Sequence, residues 1–195
     1  EAIREVRRNP LLTLFLIAVP VSMIHQFYFV YTSGFLGQYQ TQAEGAIKAI
    51  NSVFGVGGGG LMTIGQMAEI LVLFLIPFVA GKWSRKTLLA IGLCAYTLRM
   101  FLFSQVEWIN SVSGMGEIGI LIAGIALHGL CFGCFIFVAF MVVDEECTGD
   151  VKASAQNLFN LVIVGIGIVL GSYVAGQIGD WATTDGVIDW SALFS

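Results

Sequence analysis

The sequence predicts an all-α membrane protein, a bundle of transmembrane helices, on three observations. Hydrophobic residues make up 57% of the 195 residues and charged residues only 11%, with a mean hydropathy of +0.86. Soluble domains carry about 25% charged residues. Five apolar segments of about 18–27 residues recur along the chain, against about 20 needed to cross the hydrocarbon core. None alternates with the period of two that a strand requires, so a barrel is excluded. Every backbone polar group in lipid must be satisfied inside its own segment, which makes each segment a helix.

Residues 1–10 are short, polar and basic, with Arg4, Arg7 and Arg8. The first span covers about 11–33 and contains Pro20, which should kink it. In its second half His25, Tyr28, Phe29 and Thr32 share a face by i, i+3, i+4, i+7 spacing. Such a face either lines a pore or marks the membrane interface, where Tyr is common. Residues 34–60 are expected to form a flexible loop that holds Lys48 and ends in the run Gly57 to Gly60. Each of those glycines disfavours helix by about 1 kcal/mol; a broken helix end beside a gate is the other reading.

The second span, about 61–80, is the stretch with the most chemistry. It is apolar, yet Gln66 and Glu69 stand near its middle. Three residues apart on a helix, they lie about 60° apart around the axis, so both can point into one cavity. An ionisable residue at membrane depth costs about 3 kcal/mol or more and normally faces a bundle interior or a water-filled path. A hydrogen bond that merely glues two helices would also place polar groups here, but Gln or Ser alone would serve for that. Glu69 therefore points to transport.

A basic turn, GKWSRK (81–86), leads to the third span, about 87–104, which contains Arg99. Arg cannot be usefully deprotonated, so Arg99 needs a partner or must snorkel to the outer interface. Depths along antiparallel neighbours put it within reach of Glu69, and a direct Glu69–Arg99 pair is expected. Residues 105–116 read as a polar loop. The fourth span, about 117–143, is glycine-rich and contains His128. An acidic turn, DEECTGD (144–150), precedes the fifth span, about 152–178. Asn157 and Asn160 lie near its start, and Gly165, Gly167, Gly171 and Gly176 follow; with so few side chains to lock it, this span is expected to move against the others.

Lysine and arginine in the loops set the orientation. Arg4, Arg7, Arg8, Lys82, Arg85, Lys86 and Lys152 fall on one side and Lys48 on the other, which places the start of the chain in the cytoplasm. Five crossings then leave the end outside, and a sixth span is expected to begin beyond Ser195, where apolarity returns in DWSALFS. Other classes are excluded or unsupported. The net charge of −4 is scattered, so no nucleic-acid partner is indicated. Cys131 and Cys134 form a CxxC with no second ligand pair, so they read as buried thiols, not a metal site. There is no HExxH, GxSxG or paired His–Asp set, so an enzyme is not expected, and neither is a cofactor.

The strings HQFYFVYTSGFLGQ (25–38), IGQMAEILVLFLIP (64–77), LRMFLF (98–103), LHGLCFG (127–133) and SAQNLF (154–159) occur in that order. Together they resemble the C-terminal half of nucleoside:proton symporters, the nucleoside permease family of the major facilitator superfamily. The turn GKWSRK looks like a degenerate form of that superfamily's basic cytoplasmic loop motif. The resemblance implies the C-terminal six-helix half of a major facilitator fold, cut after its fifth helix, with the N-terminal half as its partner. It also implies a multi-pass protein of the plasma (inner) membrane that takes up nucleosides with protons by alternating access. Gln66 and Glu69 match the family's Gln-x-x-Glu, associated with nucleoside binding. His128, Gly129 and Phe132 match a family pattern in the fourth span, but Gly133 stands where the family has Asp. Gln26 is set, loosely, against a family polar site.

The chemistry of these residues suits such a solute. Phe132 can stack on a base, with His128 one turn back on the same face. Gln66 offers a donor and an acceptor, and Glu69 can accept from a vicinal diol. A core histidine satisfied by its neighbours and a packing phenylalanine are the bland readings of His128 and Phe132. Without the Asp, Glu69 and His128 are the titratable candidates for proton coupling in this half; Glu69 is expected to carry the proton and His128 to touch the substrate. His25 is a further candidate for proton coupling or a buried charge. A major facilitator for a sugar or organic ion needs the same buried polar groups and would account for Gly133.

Overall fold

The computed structural model describes residues 2–39, 48–49 and 58–195. Five helices in it are long and apolar enough to cross a membrane: Leu11–Tyr39, Gly60–Ala80, Arg85–Ser104, Glu117–Glu146 and Lys152–Trp181, the first to fifth spans. Their order and placement follow the apolar segments of the sequence. The fourth and fifth spans each run three residues past their expected ends, the third starts two residues early, and two further boundaries differ. The first span continues through Tyr39, because Phe35 and Leu36 are buried against the rings of Phe103, Trp190 and Phe194. Gly58 to Gly60 belong to the first turn of the second helix, Gly58–Ala80, where Leu61 is fully buried. The remainder of the expected loop, including Gly57, lies outside the described residues except for Lys48 and Ala49.

The second span packs chiefly on the fourth, the first on the fifth, and the third on the fourth. Glycines set how close these pairs come. A Cβ added at Gly92 would lie 2.7 Å from Phe135 Cβ, and one at Gly129 would meet the backbone of Ala68. We expect Gly129→Leu to prevent the second and fourth spans from docking, an overpacking cost of about 1–3 kcal/mol or more. Thermal unfolding in detergent would read it; an unchanged melting temperature would contradict this packing.

The spaces at Gly167 and Gly171 of the fifth span are filled by the first span in this structure. Gly167 receives Ser22 of the first span, and a Cβ at Gly171 would lie 2.9 Å from both Gln26 Cβ and Met23 Cα. Hydrogen bonds tie the same seam: Ser22 Oγ donates to the Ile163 carbonyl at 2.6 Å and Tyr31 Oη to the Ala175 carbonyl at 2.8 Å. The two spans are therefore keyed together in this state, and any movement of the fifth span would carry the first with it or break these contacts. Gly171→Leu should reduce assembly and substrate binding together rather than turnover alone, which paired binding and transport assays would show.

Two stretches depart from α-helix: Cys131–Phe137 in the fourth span and Leu161–Gly167 in the fifth are π-helical. Such segments widen the turn and often accompany functional sites. Outside the spans, the expected polar loop at 105–116 contains a short helix, Val106–Ser113, which ends at Gly114 in the left-handed region (φ 66°). The tail folds back as a hairpin, Thr183–Thr184 against Val187–Ile188, around Asp185 and Gly186 at positive φ. A final turn, Trp190–Phe194, then buries Leu193 and Phe194.

The basic residues assigned to one side do gather at one end. Arg85 forks onto Glu145 (Nη2–Oε1 2.6 Å) and Lys152 pairs with Asp144 at 3.0 Å. Glu5 accepts from Thr148 Oγ1 (2.8 Å) and Thr148 N (3.2 Å), bonds that hold its carboxyl below the usual range. One apolar cluster fills this end of the bundle and a second fills the other. Between them, at mid-bundle, the polar residues meet.

Candidate functional site

Glu69, Arg99 and His128 come from the second, third and fourth spans, and the fold brings them into one chain of contacts. His128 Nε2 lies 3.3 Å from Glu69 Oε2, and Arg99 Nη1 lies 3.2 Å from His128 Nδ1. The expected direct pair of Glu69 with Arg99 does not form; His128 stands between them. Arg99 is 0% exposed and His128 1%, while the Glu69 side chain keeps 19% of its surface. The series thus runs from a fully enclosed cation to a carboxylate at the edge of the packed interior.

Aromatic faces stabilise the enclosed cation. Arg99 Cζ sits 3.9 Å from the centre of the Tyr28 ring and 5.1 Å from that of Tyr96, within the range where a cation is attracted to a π face. Its Nε and Nη2 have no hydrogen-bond partner among the described residues. Rings hold His128 as well: Tyr28 stacks on it at 5.2 Å and His25 at 5.3 Å, with interplanar angles of 18° and 25°. His25 is anchored in turn, its Nδ1 lying 2.7 Å from Tyr96 Oη. Tyr96 and Arg99 are three residues apart on one helix and so reach the same side.

The other candidates divide into two groups. Phe132 is half-buried with its ring 6.4 Å from His25, and so belongs to the cluster. Phe29, more exposed, meets His128 edge-on at 5.8 Å. Gln66 is exposed, one turn before Glu69 on the second span. Gln26 is not part of the cluster; its Nε2 donates to Ser172 Oγ at 3.1 Å, across the seam to the fifth span. Sequence reasoning placed Tyr28 on the right face of the first span but missed Tyr96, for which the only signal is its spacing from Arg99.

Gly133 has a packing explanation. It is buried in the π-helical stretch, and a Cβ there would lie 2.6 Å from Val72 Cγ1. The position where the resemblance implies an Asp is therefore packed against a side chain of the second span. We expect Gly133→Asp to disturb that contact rather than add a working acid: melting temperature should fall and transport should not rise. Gain of activity in this variant would overturn the packing account. Cys131 and Cys134 are buried and unpaired, and among the described residues no three His, Cys, Asp or Glu side chains cluster as a metal site would require.

Comparison with known proteins gives a consistent result. The family model described as Nucleoside H+ symporter matches residues 1–195. Xanthosine permease of Escherichia coli (strain K12) is 28% identical over 188 residues, covering 96% of this chain and 43% of the relative. Nucleoside permease NupG of the same organism is 28% identical over 134 residues, 69% of this chain and 31% of the relative. The crystal structure of nucleoside transporter NupG superposes with a TM-score of 0.78 at 23% identity, over 99% of this chain and 45% of that one. That likeness shows the fold. The chain spans less than half the length of the proteins it matches.

Proposed function

Because the chain belongs to the nucleoside H+ symporter family, we propose that it forms part of a transporter that takes up nucleosides with protons by alternating access. The observation that supports this reading is the Arg99–His128–Glu69 chain, whose carboxylate end is the part that remains accessible. In this reading Gln66 and Glu69 hold the ribose hydroxyls, Phe132 and the neighbouring rings give the base a flat surface, and His128 orients Glu69. Gln26 contributes from the seam with the fifth span. Glu69 carries the proton, and Arg99 and His25 serve as a buried charge and a ring support.

A sixth span and an N-terminal half complete the transporter, facing the flank that holds Gln66 and Glu69. The second span favours this, since it is the least buried of the five and Met67, Ile70, Phe74 and Phe78 form an exposed stripe along it. The basic end lies in the cytoplasm by the positive-inside rule, and the membrane is the plasma (inner) membrane.

Uptake of labelled nucleosides by cells expressing the full-length protein tests the function. Accumulation should rise when the outside is acidified and collapse with a protonophore, and labelled sugars or organic cations should not accumulate. Accumulation of one of those solutes without nucleosides would defeat the reading.

A further inference from the structure

The contacts around His128 fix more than its position. Arg has five N–H donors, no acceptor, and keeps its charge in proteins. With Arg99 Nη1 3.2 Å away, Nδ1 of His128 must therefore be the acceptor. That leaves the ring proton on Nε2, the atom 3.3 Å from Glu69 Oε2. A second proton on the ring would sit on Nδ1 and point at the guanidinium, donor against donor. The ring has little room to turn, since Tyr28 and His25 stack on it and the residue is 1% exposed.

We infer that Arg99 is a positioning residue that holds His128 as a permanently neutral bridge, with its Nε2–H facing Glu69, so that His128 never takes the transported proton. This rests on the proposed role of Glu69 as proton carrier. The bridge orients the carboxylate, and Arg99 balances its charge from the far side of the ring. Other titratable groups lie around it: His25 and Tyr28 of the first span stack on the imidazole, and Tyr96 of the third lies against His25 and Arg99. Of these His25 is tied to Tyr96 through Nδ1 and stacks on His128 without a hydrogen bond to it.

A glutamine at position 128 can reproduce the bridge without titrating: its oxygen accepts from Arg99 and its amide N–H₂ faces Glu69. In the full-length protein we expect His128→Gln, whatever its rate of transport, to keep the native pH midpoint of proton-driven nucleoside accumulation, because the residue it replaces does not titrate. His128→Leu should lose at least about tenfold in accumulation, because the carboxylate loses its donor. A His128→Gln protein whose pH midpoint is shifted or lost would overturn the inference. A second measurement does not depend on transport or on that variant. Nitrogen-15 NMR of histidine-labelled protein should show His128, assigned by difference from either variant, with a bare Nδ1 and a protonated Nε2 throughout about pH 5–8. A protonated Nδ1 anywhere in that range contradicts it. If the native protein accumulates no nucleoside, the proposed function fails, and the NMR result alone decides the state of His128.

Discussion

Replacing Glu69 with Gln in the full-length protein is expected to abolish nucleoside accumulation against a gradient, while exchange of labelled for unlabelled nucleoside continues. Gln keeps the length of the side chain and an oxygen to face His128 Nε2, 3.3 Å from the native carboxylate. It cannot load a proton, so proton and solute are uncoupled. Accumulation should fall to the level of simple equilibration, with substrate affinity changed by about tenfold at most, the scale of one hydrogen bond to a charged group. Counterflow and imposed-gradient uptake, measured on the same vesicles, separate these two effects. A Glu69→Gln protein that still concentrates nucleoside when the outside is acidified would remove Glu69 from the coupling step.

The second large effect is expected at Arg99. Arg99→Glu places a carboxylate against the faces of Tyr28 and Tyr96, which now hold a cation at 3.9 and 5.1 Å. It also replaces a donor to His128 Nδ1 with an acceptor. Breaking a buried charged contact in this way costs about 3–5 kcal/mol, visible as a lowered melting temperature in detergent. Arg99→Lys should lose less, since it keeps the charge and one donor but not the planar fork. Adding Glu69→Arg to Arg99→Glu should not restore stability, because His128 separates the two positions and they do not touch. Full rescue by that swap would mean a direct pair and contradict the placement of His128 between them. Native-like stability of Arg99→Glu alone would mean that Arg99 is not enclosed.

Much of this site was legible in the sequence. An ionisable group inside an apolar span is conspicuous, so Glu69, Arg99 and His128 stood out on composition alone, and their family pattern reinforced them. The partnering was not legible. Depth along antiparallel helices placed Arg99 near Glu69, but rotation about each helix decides which neighbour a side chain meets, and that depends on packing. Gly65 illustrates the point: its missing side chain lets His128 approach, a Cβ there lying 3.3 Å from His128 Cβ.

The five spans were legible because a length of apolar sequence is a strong signal. The π-helical stretches were not, since widening one turn shifts the apolar period too little to see in residues that are apolar all round. The fifth-span glycines read as freedom from side chains; only their partners, Ser22, Met23 and Gln26, show that the space is filled. The hairpin in the tail did leave a mark in the sequence, the Asp185–Gly186 pair that suits a tight turn.

The central claim is that nucleoside and proton cross together through Glu69. In proteoliposomes of the purified full-length protein with no imposed gradient, adding nucleoside outside should make the external medium more alkaline in step with nucleoside entry. The Glu69→Gln protein should show no such change. Nucleoside entry by the native protein with no accompanying proton movement would contradict the account.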